Sequence, residues 1–243
     1  MSKPIQELLF TILPVILLFS GGVLAVYRAA SSSFKSITLH FAAGVVFSVV
    51  AVELLPDMVR LHAPLTIIIG FTMGIVFMLG VKQVTGNLEK KAVGSGKSSG
   101  LPWPALSAVG IDLLIDGILL GIGFAAGEKE GLLLAIALSL ECFSLGIAIV
   151  TTIDQVAEKK RSIFVVLAVM GSIFVAGAAA GLLLLHNAGD QLMELILSFG
   201  AAALLYLVTE ELLVEAHEEK DSPYYTATFF AGFLIFLILG IIL

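Results

Sequence analysis

The sequence predicts an all-α membrane protein of eight transmembrane helices in a 3+2+3 inverted-repeat arrangement, with both termini outside. Three observations carry the helical membrane class. Apolar residues fill 59% of the 243 positions and charged residues only 13%, about half the charge of an ordinary soluble domain. Mean hydropathy is +1.09, and there are 24 glycines, a residue common in membrane helices and costly in soluble ones. Eight long apolar runs divide the chain, at 5–27, 36–59, 63–86, 102–126, 131–153, 163–186, 189–214 and 224–243. A spanning helix needs about 20 such residues.

Taken in order, the first run follows Lys3 and resembles the charged start of a secretory signal. It runs past the length of a signal core, so it is read as a span. Runs two and three complete a first set, residues 1–86. The stretch GNLEKKAVGSGKSSG, Gly86–Gly100, has no apolar periodicity and is expected to be a mobile cytoplasmic linker. Runs four and five form a central pair within 101–161, and the last three runs a second set within 162–243. Strands are excluded because the runs are continuous rather than alternating, and about twice the length of a barrel strand.

Orientation follows from the basic residues. With the N-terminus outside, the inner loops hold Arg28, Lys35, Lys82, Lys90, Lys91, Lys97, Lys159, Lys160, Arg161 and Lys220, and the outer side keeps Lys3, Arg60 and Lys129. Ten against three satisfies the positive-inside rule. A net charge of −6 argues against a nucleic-acid partner. The single cysteine, Cys142, rules out internal disulfides and cysteine-built zinc fingers. The expected location is a cell membrane, crossed several times.

An internal repeat joins runs two and seven. Sliding AAGVVFSVVAVELLPDM by 158 residues onto the FGAAALLYLVTEELLVEA stretch puts Glu53 on Glu211, Leu54 and Leu55 on Leu212 and Leu213, and Asp57 on Glu215. Four spans lie between the copies, so the two enter the membrane from opposite sides, as inverted transporter repeats do.

Charges inside spans are costly and point to function. In GIDLLIDGILLGIGF, Asp112 and Asp116 are four residues apart on one helix face, near the middle of run four. Glu141 lies near the middle of run five, and a shift of 29 residues puts Asp112 on Glu141 and Gly117 on Gly146. Three acids at one depth must be protonated, bathed in water or matched by a cation. A bound metal ion or a shared proton is the cheapest account. A protonated helix–helix hydrogen bond is the bland alternative. Glu53, Glu210 and Glu211 lie nearer span ends, where simple solvation competes with a mouth role. Asp57 belongs with Glu53 at the outer mouth, and a cluster such as Glu215 to Glu219 is most often a solvated helix end. His40 is either a neutral buried ring or a ligand. Cys142 and Ser144 are small packing residues or supports for Glu141. Trp103, Tyr27, Tyr224 and Tyr225 suit an interfacial belt.

The eight spans, the repeat, AVELLPDM and TEELLVEAH together resemble the ZIP (Zrt/Irt-like protein) family of divalent metal transporters, in particular its GufA-type members. The likeness runs along nearly the whole chain. It implies a mid-membrane metal site on helices four and five. Asp112 stands where the family has His, Leu113 where it has Asn, and Asp116 at the acid, while Gly117 matches. Glu141 stands at the His or Gln position, Cys142 at Asn or Asp, and Leu145 where an acid belongs. Glu210 and Glu211 resemble the His-Glu pair at the inner mouth. The helix-six acid has no counterpart in VLAVMGSIFVAGAAAG, and the histidine-rich loop is missing.

These departures replace imidazole by carboxylate, which suits harder ions. The expectation is therefore a secondary transporter, not an enzyme, with Asp112, Asp116 and Glu141 as metal ligands. Glu53 and Asp57 would gather ions outside; Glu210, Glu211, Glu215 and His217 would receive them inside. No resident cofactor is expected, only a transported Mn²⁺, Fe²⁺, Mg²⁺ or Zn²⁺, with the lipid bilayer as partner and a homodimer left open. The same fold moving another substrate, with the acids relaying protons, is the alternative. An intramembrane aspartyl protease also needs two membrane aspartates, but on separate helices and with a Gly-x-Gly-Asp string that is absent here.

Overall fold

A computed structural model describes residues 10–27, 32–60, 63–94, 101–154, 160–185, 189–217 and 222–242. Nearly all of them are helical, as long apolar runs require: a helix satisfies every backbone polar group within its own segment. The helices are α1 (Ile12–Tyr27), α2 (Ser32–Val49, continued by Leu55–Arg60), α3 (Pro64–Gly94) and α4 (Trp103–Ala126). They are followed by α5 (Glu128–Asp154), α6 (Lys160–Leu185), α7 (Asp190–Tyr206, continued by Leu213–Ala216) and α8 (Pro223–Ile242). Seven are long and apolar enough to cross a membrane, and α1 is apolar over its sixteen residues. The chain is an all-α, multi-pass membrane protein.

One expectation fails. The segment read as a linker from Gly86 continues α3 as helix through Gly94. Leu88, Glu89, Lys90, Lys91 and Ala92 are all good helix formers, and a helix already nucleated by the span extends through them at little cost. Residues 95–100 lie outside the described residues, as do Lys3, Arg28, Lys97, Lys159, Lys220, Glu218 and Glu219.

The helices pack chiefly in four pairs: α1 with α5, α4 with α6, α2 with α8, and α3 with α7. Each crossing is built on glycine. A Cβ at Gly146 of α5 would meet Leu18 O of α1, and one at Gly117 of α4 would meet Phe174 O of α6. Gly44 and Gly232 serve α2 and α8 in the same way, and Gly70 and Gly74 serve α3 and α7. Lipid offers no hydrophobic drive for helix association, so close backbone approach and dispersion must supply it. The central contacts run among α2, α4, α5 and α7. α5 is the most enclosed span, whereas α3 and α8 are mostly exposed and present Ile68, Val76, Leu234 and Ile238 to lipid.

Two π-helical turns interrupt the regular helices, Val50–Leu54 in α2 and Leu207–Leu212 in α7. They hold Glu53 and the Glu210–Glu211 pair, and they fall on the two halves of the 158-residue match. A π turn carries one extra residue, so it re-aims the side chains beyond it, and such turns collect at functional sites.

Candidate metal centre

Burial sorts the three central acids. Asp116 is 1% exposed and Glu141 5%, and Asp116 Oδ2, Glu141 Oε2 and Ser144 Oγ have no hydrogen-bond partner among the described residues. Most buried polar groups are satisfied, so unpartnered oxygens call for a ligand, water or ion. Asp112, one turn before Asp116, is only partly buried and lines a cavity of about 450 Å³. Gly117 presses α4 onto α6 directly after Asp116, and Gly146 presses α5 onto α1 near Glu141. The two matched glycines thus anchor the acid-bearing segments of both central helices.

The cavity lies between α3, α4, α5 and α7. It brings Asp112, Glu141, Ser144, Glu210, Glu211 and Glu215 together. Glu141 lies within electrostatic reach of Asp116, Glu211, Asp112 and Glu215. Asp116 and Cys142 are buried beside this space rather than in its lining. Among the described residues, no three His, Cys, Asp or Glu side chains converge closely enough to hold a metal ion. The acids share one space without forming a finished coordination shell.

Basic partners that sequence reasoning missed tie down the outlying acids. Lys82 of α3 reaches Glu210 at 2.6 Å, with both side chains half-exposed at the rim, and its ammonium lies 5.7 Å from the Tyr206 ring centre. Lys35 pairs with Glu215 at 2.7 Å, and Asp57 with Arg60 at 3.6 Å. Lys82 stands near the inner end of run three and counted only among the inner basic residues, since no local spacing links it to Glu210. Glu194, buried on α7 with Oε1 unpartnered among the described residues, was visible in run seven and overlooked. His217 lies outside the cavity, beside His40.

Glu53 occupies the other end of the bundle. Its side chain is 10% exposed and meets Lys129 Nζ at 3.2 Å, and the same Nζ donates to Gly240 O at 2.5 Å. Lys129 belongs to the first turn of α5, whereas Ala148 and Thr152, near its end, line the cavity with Glu211. Glu53 and Glu211 therefore sit at opposite ends of α5. Replacing Lys129 with methionine strands a buried carboxylate and unlinks the start of α5 from α2 and α8. The expected cost is about 2 kcal/mol, read as a lowered thermal midpoint, and the double change Lys129→Met with Glu53→Gln should recover most of it. No family model and no curated protein sequence matches this chain.

Proposed function

We propose that this chain is a secondary transporter of the ZIP type, moving divalent cations through Asp112, Asp116 and Glu141. The observation that carries the reading is the acid-lined cavity that runs from the half-exposed Lys82–Glu210 rim to buried Glu141, beside oxygens that lack partners among the described residues. An all-oxygen donor set favours hard cations, Mn²⁺ or Mg²⁺ with Fe²⁺ next. The helix pairing supports an inverted 3+2+3 repeat. Exchanging α1 with α6, α2 with α7, α3 with α8 and α4 with α5 turns each of the four main pairs into another of the four. The basic residues favour an inward-facing cavity, with Glu53 and Asp57 outside and both termini outside. Ligation requires the acids to close on the ion, and sliding of one bundle against the other supplies that motion while alternating access.

Uptake of Mg²⁺, Mn²⁺, Fe²⁺, Co²⁺ and Zn²⁺ into proteoliposomes tests the proposal. Protons and metal compete for the same carboxylate oxygens, so uptake should fall as pH drops, with Mn²⁺ or Mg²⁺ preferred over Zn²⁺. Histidine at both Asp112 and Glu141 supplies nitrogen ligands and should turn the preference toward Zn²⁺. Zn²⁺ preference without pH dependence in the unaltered protein would refute the oxygen-site reading.

One observation favours a second reading. Among the described residues the acids do not converge into a three-ligand shell, which suits a proton relay serving another substrate. Proton flux without any divalent ion, in the same vesicles, would select it.

A further inference from the structure

The imidazoles of His40 and His217 lie together at the cavity end of the bundle, outside the carboxylate cavity. Their ring centres are 4.9 Å apart and the planes are tilted by 58°. His40 Nδ1 is 2.8 Å from Ser36 O, and His217 Nδ1 is 2.5 Å from Leu213 O, each the carbonyl four residues earlier. A carbonyl can only accept, so both Nδ1 atoms donate. In a neutral ring, that makes Nε2 the lone-pair nitrogen. A backbone carbonyl on the remote ring nitrogen is the usual support of a metal-bound histidine, because it fixes tautomer and orientation.

The spacing fits the same chemistry. Two imidazoles bound to one ion through nitrogen at about 2.0–2.1 Å, at a tetrahedral angle, have ring centres roughly 5 Å apart. The supporting frame is fixed by links between the two helices. Ser36 Oγ donates to Ala216 O at 2.8 Å, and Lys35 pairs with Glu215 at 2.7 Å. Both join the start of α2 to the end of α7. Tyr225 of α8 backs the His40 ring, 5.9 Å away and 30° from parallel. His40 is buried while His217 is exposed, which leaves an approach from the His217 side.

We propose that His40 and His217 form a two-imidazole binding site for a borderline divalent cation of the Zn²⁺, Ni²⁺ or Cu²⁺ class. Neither imidazole lines the carboxylate cavity, and the proposal does not rest on the transport reading. Water completes the coordination, so binding is reversible. Imidazole selects against Mg²⁺ and Mn²⁺, giving this end of the protein a preference opposite to that of the acids.

The test uses the full chain in detergent with one equivalent of Cu²⁺ as probe. Electron spin-echo modulation counts the imidazoles bound to the copper. The expected count is two in the unaltered protein and one in His217→Ala, a change at an exposed position. Zn²⁺ should displace the copper from the unaltered protein, and its own affinity should fall at least about tenfold in the variant, the lower bound for losing even a supporting residue. His40→Gln should give the same reduction. Asp112→Asn should leave both imidazoles in place, whether or not uptake survives. A count below two in the unaltered protein, or two imidazoles persisting in His217→Ala, would overturn the proposal.

Discussion

Glu141→Gln should lower divalent-cation uptake by about a hundredfold, roughly 3 kcal/mol of lost stabilisation for the ion in transit, while the thermal midpoint holds or rises. The two signs come from one geometry. Glu141 is buried with Oε2 unpartnered among the described residues, and four further acids act on it. An uncharged isostere removes repulsion from that group at almost no change of volume, so the fold loses nothing. The ion loses a charged oxygen, for which an amide is a poor replacement in a low-dielectric site. Such opposed effects on stability and activity mark a residue held for function rather than packing. Uptake assays and thermal denaturation on the same preparation decide it. Undiminished uptake would route the ion away from Glu141, and a midpoint lowered by many degrees would make the residue structural.

Gly117→Leu should cost at least about 3 kcal/mol, the upper range for overpacking, and prevent recovery of a monodisperse protein. A Cβ at Gly117 meets Phe174 O and comes within 2.9 Å of Ala178 N and 3.1 Å of Gly177 Cα. All three are backbone atoms of α6 or lie along its core, so no rotamer change relieves the clash. The helices must part, and with them the neighbouring approaches at Gly121, Gly177 and Gly181. In lipid that packing is the main attraction between helices. Gly80→Leu is the control, since among the described residues nothing lies within 4 Å of a Cβ there and the position is exposed. Size-exclusion profiles and thermal midpoints of the two variants should diverge sharply. Equal behaviour would show that the α4–α6 crossing does not hold the fold.

Much of this protein was legible in its sequence, because the dominant forces are local. A long apolar run must be helical in lipid, where backbone groups have no outside partner, and helix positions follow the runs closely. The same locality explains the misreading at Gly86: a charged, glycine-bearing stretch signals the end of burial, but helix formers let α3 continue through Gly94. The acids of α4 and α5 also announced themselves, since charges at mid-span stand out against an apolar background. Their match through Gly117 and Gly146 gained a meaning in space, as the glycines turn out to press the two central helices onto α6 and α1.

Pairing across helices was decided only by the tertiary structure. Lys82 with Glu210, Lys129 with Glu53 and Lys35 with Glu215 join residues far apart in the chain, and no spacing rule reaches that far. The same holds for the division of labour among the acids: which line the cavity, which are buried beside it, and which are matched by a lysine. His40 and His217 show the limit most clearly. Each alone offers one candidate nitrogen, and their 4.9 Å separation exists because α2 and the end of α7 meet there. Sequence determined the helices and the charges they carry, since both depend on neighbours along the chain. Glycine-mediated packing determined which charges meet, because it sets how closely and at what register distant helices approach.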